Sequence, residues 1–191
     1  SLPLVSQTLE QFKKAIPWDK MDSLKQIYFC GTYGDPVACP DLLKICEWIK
    51  TNTTCNITMH TNGGLQSNKF WSKIAPLVDK CAFGIDGLED TNHLYRRNVQ
   101  WNKLMRNVQS FINNGGHAIW DFIVFKHNEH QVEQAREYAM QMGFKNFNFK
   151  KTHRFLDKKH DLIDKSPVVN MNNDVEYYLE MPEQDKYRNT V

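Results

Sequence analysis

The chain has 191 residues, 41% of them hydrophobic and 12% aromatic, enough apolar material for a real core in one domain, or in a domain plus an appendage. Its 24 basic and 22 acidic residues leave a formal charge of +2, which gives no electrostatic footprint for nucleic acid or an anionic membrane. Apolar runs reach only about five to eight residues, too short to span a bilayer, and no secretory signal pattern opens the sequence.

Taken in order, Ser6 is placed to cap a first helix with Leu9, Phe12 and Ile16 on one face, stopped by Pro17. Gln26 to Cys30 reads as a short strand. Pro40-Asp41 opens a helix with Leu42, Leu43, Ile45, Cys46 and Ile49 inward, and Asn56 to His60 is a second strand. Ser67 caps a helix with Phe70, Trp71 and Ile74, and Cys81 to Ile85 is a third strand. After a polar connection through Arg97, residues Trp101, Leu104, Met105, Val108, Phe111 and Ile112 keep helical period, with Gly115 as the stop. Ala118 to Phe125 is nearly continuous in apolar character, as for a strand buried on both faces. Val132, Ala135, Ala139 and Met142 mark a helix closed by Gly143, and Asn146 to Phe149 is the last strand of the series.

Strands alternating with helices predict βαβ units and a mostly parallel sheet. From Lys151 the pattern dissolves. Lys158 to Asp161 and Asn170 to Asp174 are polar with few apolar anchors, so the last forty or so residues read as a poorly packed extension or linker. The five cysteines (Cys30, Cys39, Cys46, Cys55, Cys81) show no C-x-x-C spacing, which suggests neither a zinc ribbon nor a redox dithiol and fits unpaired, buried thiols in a reducing cytosol.

Three apolar runs end in glycine-bearing polar loops: Gly31-Thr32-Tyr33-Gly34-Asp35-Pro36, Thr61-Asn62-Gly63-Gly64 and Gly84-Ile85-Asp86-Gly87. Ligands of parallel β/α folds gather where strands end and helices begin, so the three loops read as the rim of one small-molecule site. In the first, two glycines let the main chain approach a ligand, Pro36 stiffens the exit, and Asp35 with exposed carbonyls suits an amine. An ordinary strand-to-helix turn accounts equally for that segment. It is not a P-loop, because the Lys-[Ser/Thr] ending is missing. Asp86 is placed to accept two hydrogen bonds from a sugar diol, or to serve a plain Asp-Gly turn. Arg96 offers a fork for a carboxylate, or a solvated surface charge. His60 and His127 end two strands and can face one cavity, whereas His93, His117, His130, His153 and His160 read as solvent-facing. Lys150, Lys151, His153 and Arg154 form a basic exit from the last strand.

The run YFCGTYGDP, then HTNGG, then FGIDGLEDTNHLYR, with WNKLMRNVQSFINNGG behind it, resembles the radical S-adenosylmethionine (radical SAM) superfamily, and within it the branch carrying a SPASM-type extension. The likeness covers about residues 25 to 155. It implies an α/β fold, a partial TIM-like (β/α) barrel of mostly parallel strands with at least five βα units present and the family's first strand missing. Residues 1–155 are then the barrel and residues 156–191 a polar extension toward a C-terminal region.

By that likeness S-adenosylmethionine lies across the strand ends. Gly34, Asp35 and Pro36 match the loop that holds the methionine amino group, with Asp in place of the usual Glu. Thr61 and Asn62 match the polar end of the next strand, Asp86 would hold the ribose hydroxyls, Arg96 the methionine carboxylate, and His127 and Asn128 would pass the adenine. The family's chemistry begins at a C-x-x-x-C-x-x-C loop whose thiolates bind a [4Fe–4S] cluster. The cluster cleaves the cofactor to a 5′-deoxyadenosyl radical that abstracts hydrogen from substrate. This chain has no such motif. Because it opens on Ser1 rather than Met, the cluster ligands are expected outside it, and the chain alone is expected to be inactive. The resemblance further implies an iron–sulfur oxidoreductase of the cytoplasm, a peptide substrate and an electron-donor protein, with no nucleic-acid or membrane partner. Two other readings stand beside it. One is a non-catalytic, degenerate barrel that binds a nucleoside or peptide. The other is a conventional α/β-barrel enzyme using His60, Asp86 or His127 for acid–base work.

Overall fold

Five parallel strands lie side by side in chain order, β1 (Gln26–Phe29), β2 (Asn56–Thr61), β3 (Lys80–Gly84), β4 (Ala118–Ile123) and β5 (Asn146–Lys150). The computed structural model describes residues 6–18, 23–31, 34–157 and 161–188. Thr32, Tyr33, Lys158, Lys159 and His160, all named in the sequence reading, fall outside them. The crossovers are α2 (Leu42–Asn52), α3 (Asn68–Ile74), α4 (Asn92–Tyr95) with α5 (Trp101–Asn113), and α6 (Val132–Met142), preceded by α1 (Leu9–Ala15). This is the α/β architecture the spacing predicts, with all five strands in one sheet.

The pleat divides the sheet into two unlike faces. Ile57, Met59, Phe83, Trp120 and Phe122 have no exposed surface and pack against the helices. Aromatic rings carry much of that core: Trp71 meets Phe83 at 5.3 Å between centroids, Phe83 meets Phe111 at 5.6 Å, and Trp120 meets Phe144 at 5.2 Å. The opposite face holds Tyr28, Thr58, His60, Ala82, Asp121 and Asn148, which share one side because the register pairs Tyr28 with Thr58, His60 with Ala82, Gly84 with Asp121, and Asp121 with Asn148. Tyr28 there is 53% exposed. β4 is buried at Ala118, Trp120, Asp121 and Phe122, as expected of a strand covered on both faces, but Asp121 makes its second face polar.

Local chemistry shifts several boundaries. The first helix is capped by Thr8 and not by Ser6, since the Thr8 hydroxyl accepts from Gln11 N–H while the Gln11 side chain accepts from Thr8 N–H, a reciprocal box. Ser67 holds the cap position of α3 without a side-chain bond. β4 stops at Ile123, two residues early, because the Asn128 side chain accepts from Phe125 N–H at 2.7 Å and turns the chain. His117 is half-buried, not solvent-facing. Asn107, fully buried on α5, donates to the carbonyls of Gly63 (2.8 Å) and Leu65 (3.0 Å) and so fixes the loop after β2.

The largest departure lies beyond Lys151. An antiparallel hairpin, β6 (Lys165–Val169) and β7 (Val175–Glu180), stands where the sequence suggested a poorly packed extension. Its Leu179, with Met181 and Phe155, closes on Phe125 in a second apolar cluster.

Candidate functional site

At the carboxyl ends of β1, β2 and β3 a cleft of about 360 Å³ is lined by Cys30, Gly31, Gly34, Asp35, His60, Thr61, Asn62 and Arg96. The loops after β1 and β2 meet Arg96, at the end of the helix after β3, at this place, whereas none of Gly84, Ile85, Asp86 and Gly87, the third loop of the expected rim, lines the cleft.

Asp35 knits the first two loops together. It caps a 3₁₀ turn (Pro36–Ala38) by accepting from Val37 N–H at 3.1 Å, and it accepts from Asn62 N–H at 2.7 Å. The Thr61 hydroxyl lies 2.8 and 2.9 Å from its two oxygens. Asp35 is half-buried and lines the cleft, placing a carboxylate at its wall. Gly34 adopts φ +147°, which leaves its backbone bare at the rim.

Asp86 and Arg96 form one unit. Arg96 Nε donates to Asp86 Oδ2 at 2.5 Å, and Ile123 N–H donates to Asp86 Oδ1 at 2.5 Å. The Asp86 side chain is 0% exposed, so both oxygens are spent inside the protein. Burial pushes its pKa up, against the opposing pull of the Arg96 charge and the Ile123 hydrogen bond. Only the guanidinium of the pair reaches the cleft. Gly84 makes room for it, because a Cβ at that position would collide with Arg96 Nη2 and stand 2.9 Å from Cζ.

Asn128 has no exposed surface and is saturated: its amide donates to the carbonyls of Asp86 and Ile123, both at 3.0 Å. It fastens the end of β3 to the end of β4 beneath the site. His127 is not among the cleft-lining residues. Its ring stacks on Phe125 at 5.4 Å, and burial, with the neighbouring charges of His130 and His93, lowers its pKa to about 4. Pro36 stands at the start of the 3₁₀ turn behind Asp35.

Beside the cleft, the open face of the sheet carries a polar group the sequence reading passed over. Asp121, 8% exposed, accepts from Asn148 Nδ2 at 2.9 Å and lies 3.4 Å from Lys150 Nζ. Burial lowers the pKa of the neighbouring His60, with Asp121 opposing and Arg96 and Lys150 assisting. Burial also raises that of Tyr28, to which the charges of Cys30 and Asp121 add. The signal for this cluster was a single carboxylate inside the apolar run AIWDFIVF, since a buried charge demands partners.

Thiols do not gather here. Cys46, Cys55 and Cys81 are buried in the core, burial pushes the Cys46 thiol up to about 12 and the Cys81 thiol well above its ordinary value, and only Cys30 lines the cleft. Among the described residues no group of three or more His, Cys, Asp or Glu could hold a metal ion. The described residues therefore do not fit an iron–sulfur cluster, while Asp35 and Arg96 bring one charge of each sign to the cleft. Among the described residues no helix is long and apolar enough to cross a membrane.

No family model and no curated protein matches the sequence. Solved structures do. Streptococcus suis SuiB bound to S-adenosylmethionine aligns over 78% of this chain and 34% of its own, at 12% identity and TM-score 0.63. SuiB bound to its precursor peptide SuiA gives TM-score 0.65 at 12% identity, over 78% and 33% of the two chains. The enzyme anSMEcpe, with bound S-adenosylmethionine and a Cp18Cys peptide, aligns over 72% of this chain and 42% of its own, at 17% identity and TM-score 0.55. The chain thus spans about a third of SuiB. At such identities the likeness is one of architecture: the structural neighbours of this chain are radical SAM enzymes of the SPASM type, and it shares with them the fold of five parallel strands and their helices.

Proposed function

We propose that this chain forms the S-adenosylmethionine-binding core of a radical SAM enzyme that acts on a peptide. The observation that supports it best is the convergence of Asp35, Thr61, Asn62 and the Asp86-anchored Arg96 on one strand-end cleft in a fold shared with such enzymes. A cleft of about 360 Å³ lies in the range of small-molecule sites. Asp35 and the bare backbone at Gly34 receive the methionine ammonium, and Arg96 forks the methionine carboxylate. Asp86 acts through Arg96, which it orients, and Asn128 holds the floor. Pro36, Thr61 and Asn62 hold the Asp35 carboxylate at the cleft wall. His60, kept neutral by burial, can accept or donate at the cleft wall.

The S-adenosylmethionine-bound SuiB and anSMEcpe structures and their peptide complexes support the ligand and the substrate class. In this reading cluster ligation and the electron donor come from outside these 191 residues, and the chain alone binds the cofactor without cleaving it. The dispersed thiols favour a second reading, a degenerate barrel that binds a nucleoside without redox chemistry.

Calorimetric titration tests the assignment. S-adenosylmethionine is expected to bind the chain and to lose about a hundredfold in affinity with Arg96→Ala, the worth of a charge-assisted fork. Equal affinity in the variant removes Arg96 from the site. A stable [4Fe–4S] species and deoxyadenosine formation from the chain alone, after reconstitution with iron and sulfide, would overturn the placement of the cluster ligands.

A further inference from the structure

On the helical side of the molecule, away from the cofactor cleft, a groove of about 440 Å³ runs between α5 and α6. Gln134, Glu137, Tyr138 and Gln141 line it from α6, Trp101 from the start of α5, and Leu88 and Glu89 from the loop after β3. The α6 residues follow each other at three, four and seven positions, so they form one stripe about 10 Å long.

The groove is built on rigid parts. Trp101 and Tyr138 stack at 6.4 Å with 28° between their planes, and Trp120 holds Tyr138 from inside by an edge contact at 6.3 Å. Gln131 locks the facing loop: its side-chain oxygen accepts from Leu88 N–H at 3.0 Å and from the Thr91 hydroxyl, and its amide donates to Asp90 at 2.8 Å. The neighbouring carboxylates are thereby committed, Asp90 to Gln131 and Glu133 to Arg136. Glu89 and Glu137 have no ion pair or hydrogen bond among the described residues, and both stand exposed at the groove.

Two uncommitted carboxylates beside two fixed aromatic faces make a receptor for a planar cation. A guanidinium satisfies every part of it. One face of it can lie on the Trp101–Tyr138 pair while its five N–H groups reach the carboxylates that line the same groove. An ammonium offers the charge without the plane. The flanking amides of Gln134 and Gln141 provide donors and acceptors for main chain along the same stripe, whose length matches about three extended residues.

We propose that this groove is a docking site for a peptide segment carrying an arginine, with the guanidinium over Trp101 and Tyr138 between Glu89 and Glu137. It stands apart from the cofactor cleft and does not depend on its assignment.

The test uses the ¹⁵N-labelled chain and two capped peptides, acetyl-Gly-Arg-Gly-amide and the same peptide with neutral citrulline in place of arginine. The Trp101 indole signal is assigned by its loss in Trp101→Phe. The arginine peptide is expected to move the Trp101 indole and the Tyr138 amide, with affinity about tenfold above the citrulline peptide. The double variant Glu89→Gln/Glu137→Gln, both positions being exposed, is expected to keep the native spectrum and to lose that preference. Equal binding of the two peptides, an unchanged preference in the double variant, or shifts confined to residues outside the groove would each overturn the proposal.

Discussion

Arg96 Nε stands 2.5 Å from Asp86 Oδ2, and the aspartate has no contact with water. Ten positions of chain, including α4, return the guanidinium to the strand end that bears its partner. Removing one member of such a pair strands the other's charge, which costs far more than the intact pair contributes. Arg96→Met is therefore expected to destabilise the fold by about 3 kcal/mol. The double variant Asp86→Asn/Arg96→Met is expected to recover a large part of that loss. Urea denaturation of the two single variants and the double one measures the coupling, and strictly additive losses would refute it.

Gly84 sets where the guanidinium can lie. In Gly84→Ala the new methyl meets Arg96 Nη2 and Cζ, and approaches His60 Nε2 at 3.3 Å. Displacing the guanidinium strains its bond to the buried Asp86, so the fold is expected to lose about 2 kcal/mol, less than the loss in Arg96→Met. Affinity for S-adenosylmethionine is expected to fall about tenfold or more as the fork is misaimed. Calorimetry on the variant decides, and unchanged affinity would detach this glycine from the cleft.

Thiol labelling separates the cleft from the core. Cys30 is exposed and lines the cleft, whereas Cys46 and Cys81 are buried with thiols pushed far above neutral pH. An aromatic disulfide reagent is expected to modify Cys30 first and to spare Cys46 and Cys81 until denaturant is added. Saturating S-adenosylmethionine is expected to slow the Cys30 reaction about tenfold. A rate insensitive to the nucleoside would argue against occupancy of that cleft.

His127 makes stability depend on acid. Its folded pKa of about 4 lies below the ordinary 6.5, so between those values the unfolded chain takes up a proton that the folded one refuses. Stability is expected to be fully present above pH 6.5, to decline as pH falls, and to level off below about 4. With the solvent at its edge discounted, the loss is about 1 kcal/mol. His127→Gln is expected to flatten that segment of the profile. Denaturation midpoints at pH 7 and pH 5 provide the check, and parallel profiles for the two proteins would refute it.

Much of the architecture could be read before any coordinates, because helical and strand periods alternate cleanly from Gln26 to Lys150. The loops after β1 and β2 could be placed together for the same reason, but that the third loop would reach the cleft only through Arg96 could not. The Asp86–Arg96 partnership could not be read, since a carboxylate and a guanidinium ten positions apart suit two ligand contacts as well as one internal pair. Asn128 was placed beside the adenine by the resemblance alone, because an amide after a strand carries no sign of whether it turns inward. Asp121 was hidden in an apolar run because burial of both faces, which the strand has, gives no sign that one face is polar. The β6–β7 hairpin escaped notice because Pro167 argues against a strand, and its anchors, Leu179 and Tyr177, pack on residues far back in the chain.

That hairpin reaches back across the molecule. The Tyr177 hydroxyl donates to the Leu94 carbonyl at 2.5 Å over 83 positions of chain, and Glu176 pairs with Arg97 at 2.7 Å. Residues on either side of Tyr95 and Arg96 are thus braced from behind by the C-terminal quarter. Trimming the protein after the fifth strand would spare every ladder of the parallel sheet and still slacken the segment that delivers the arginine. What holds Arg96 in place therefore extends past the sheet into the hairpin.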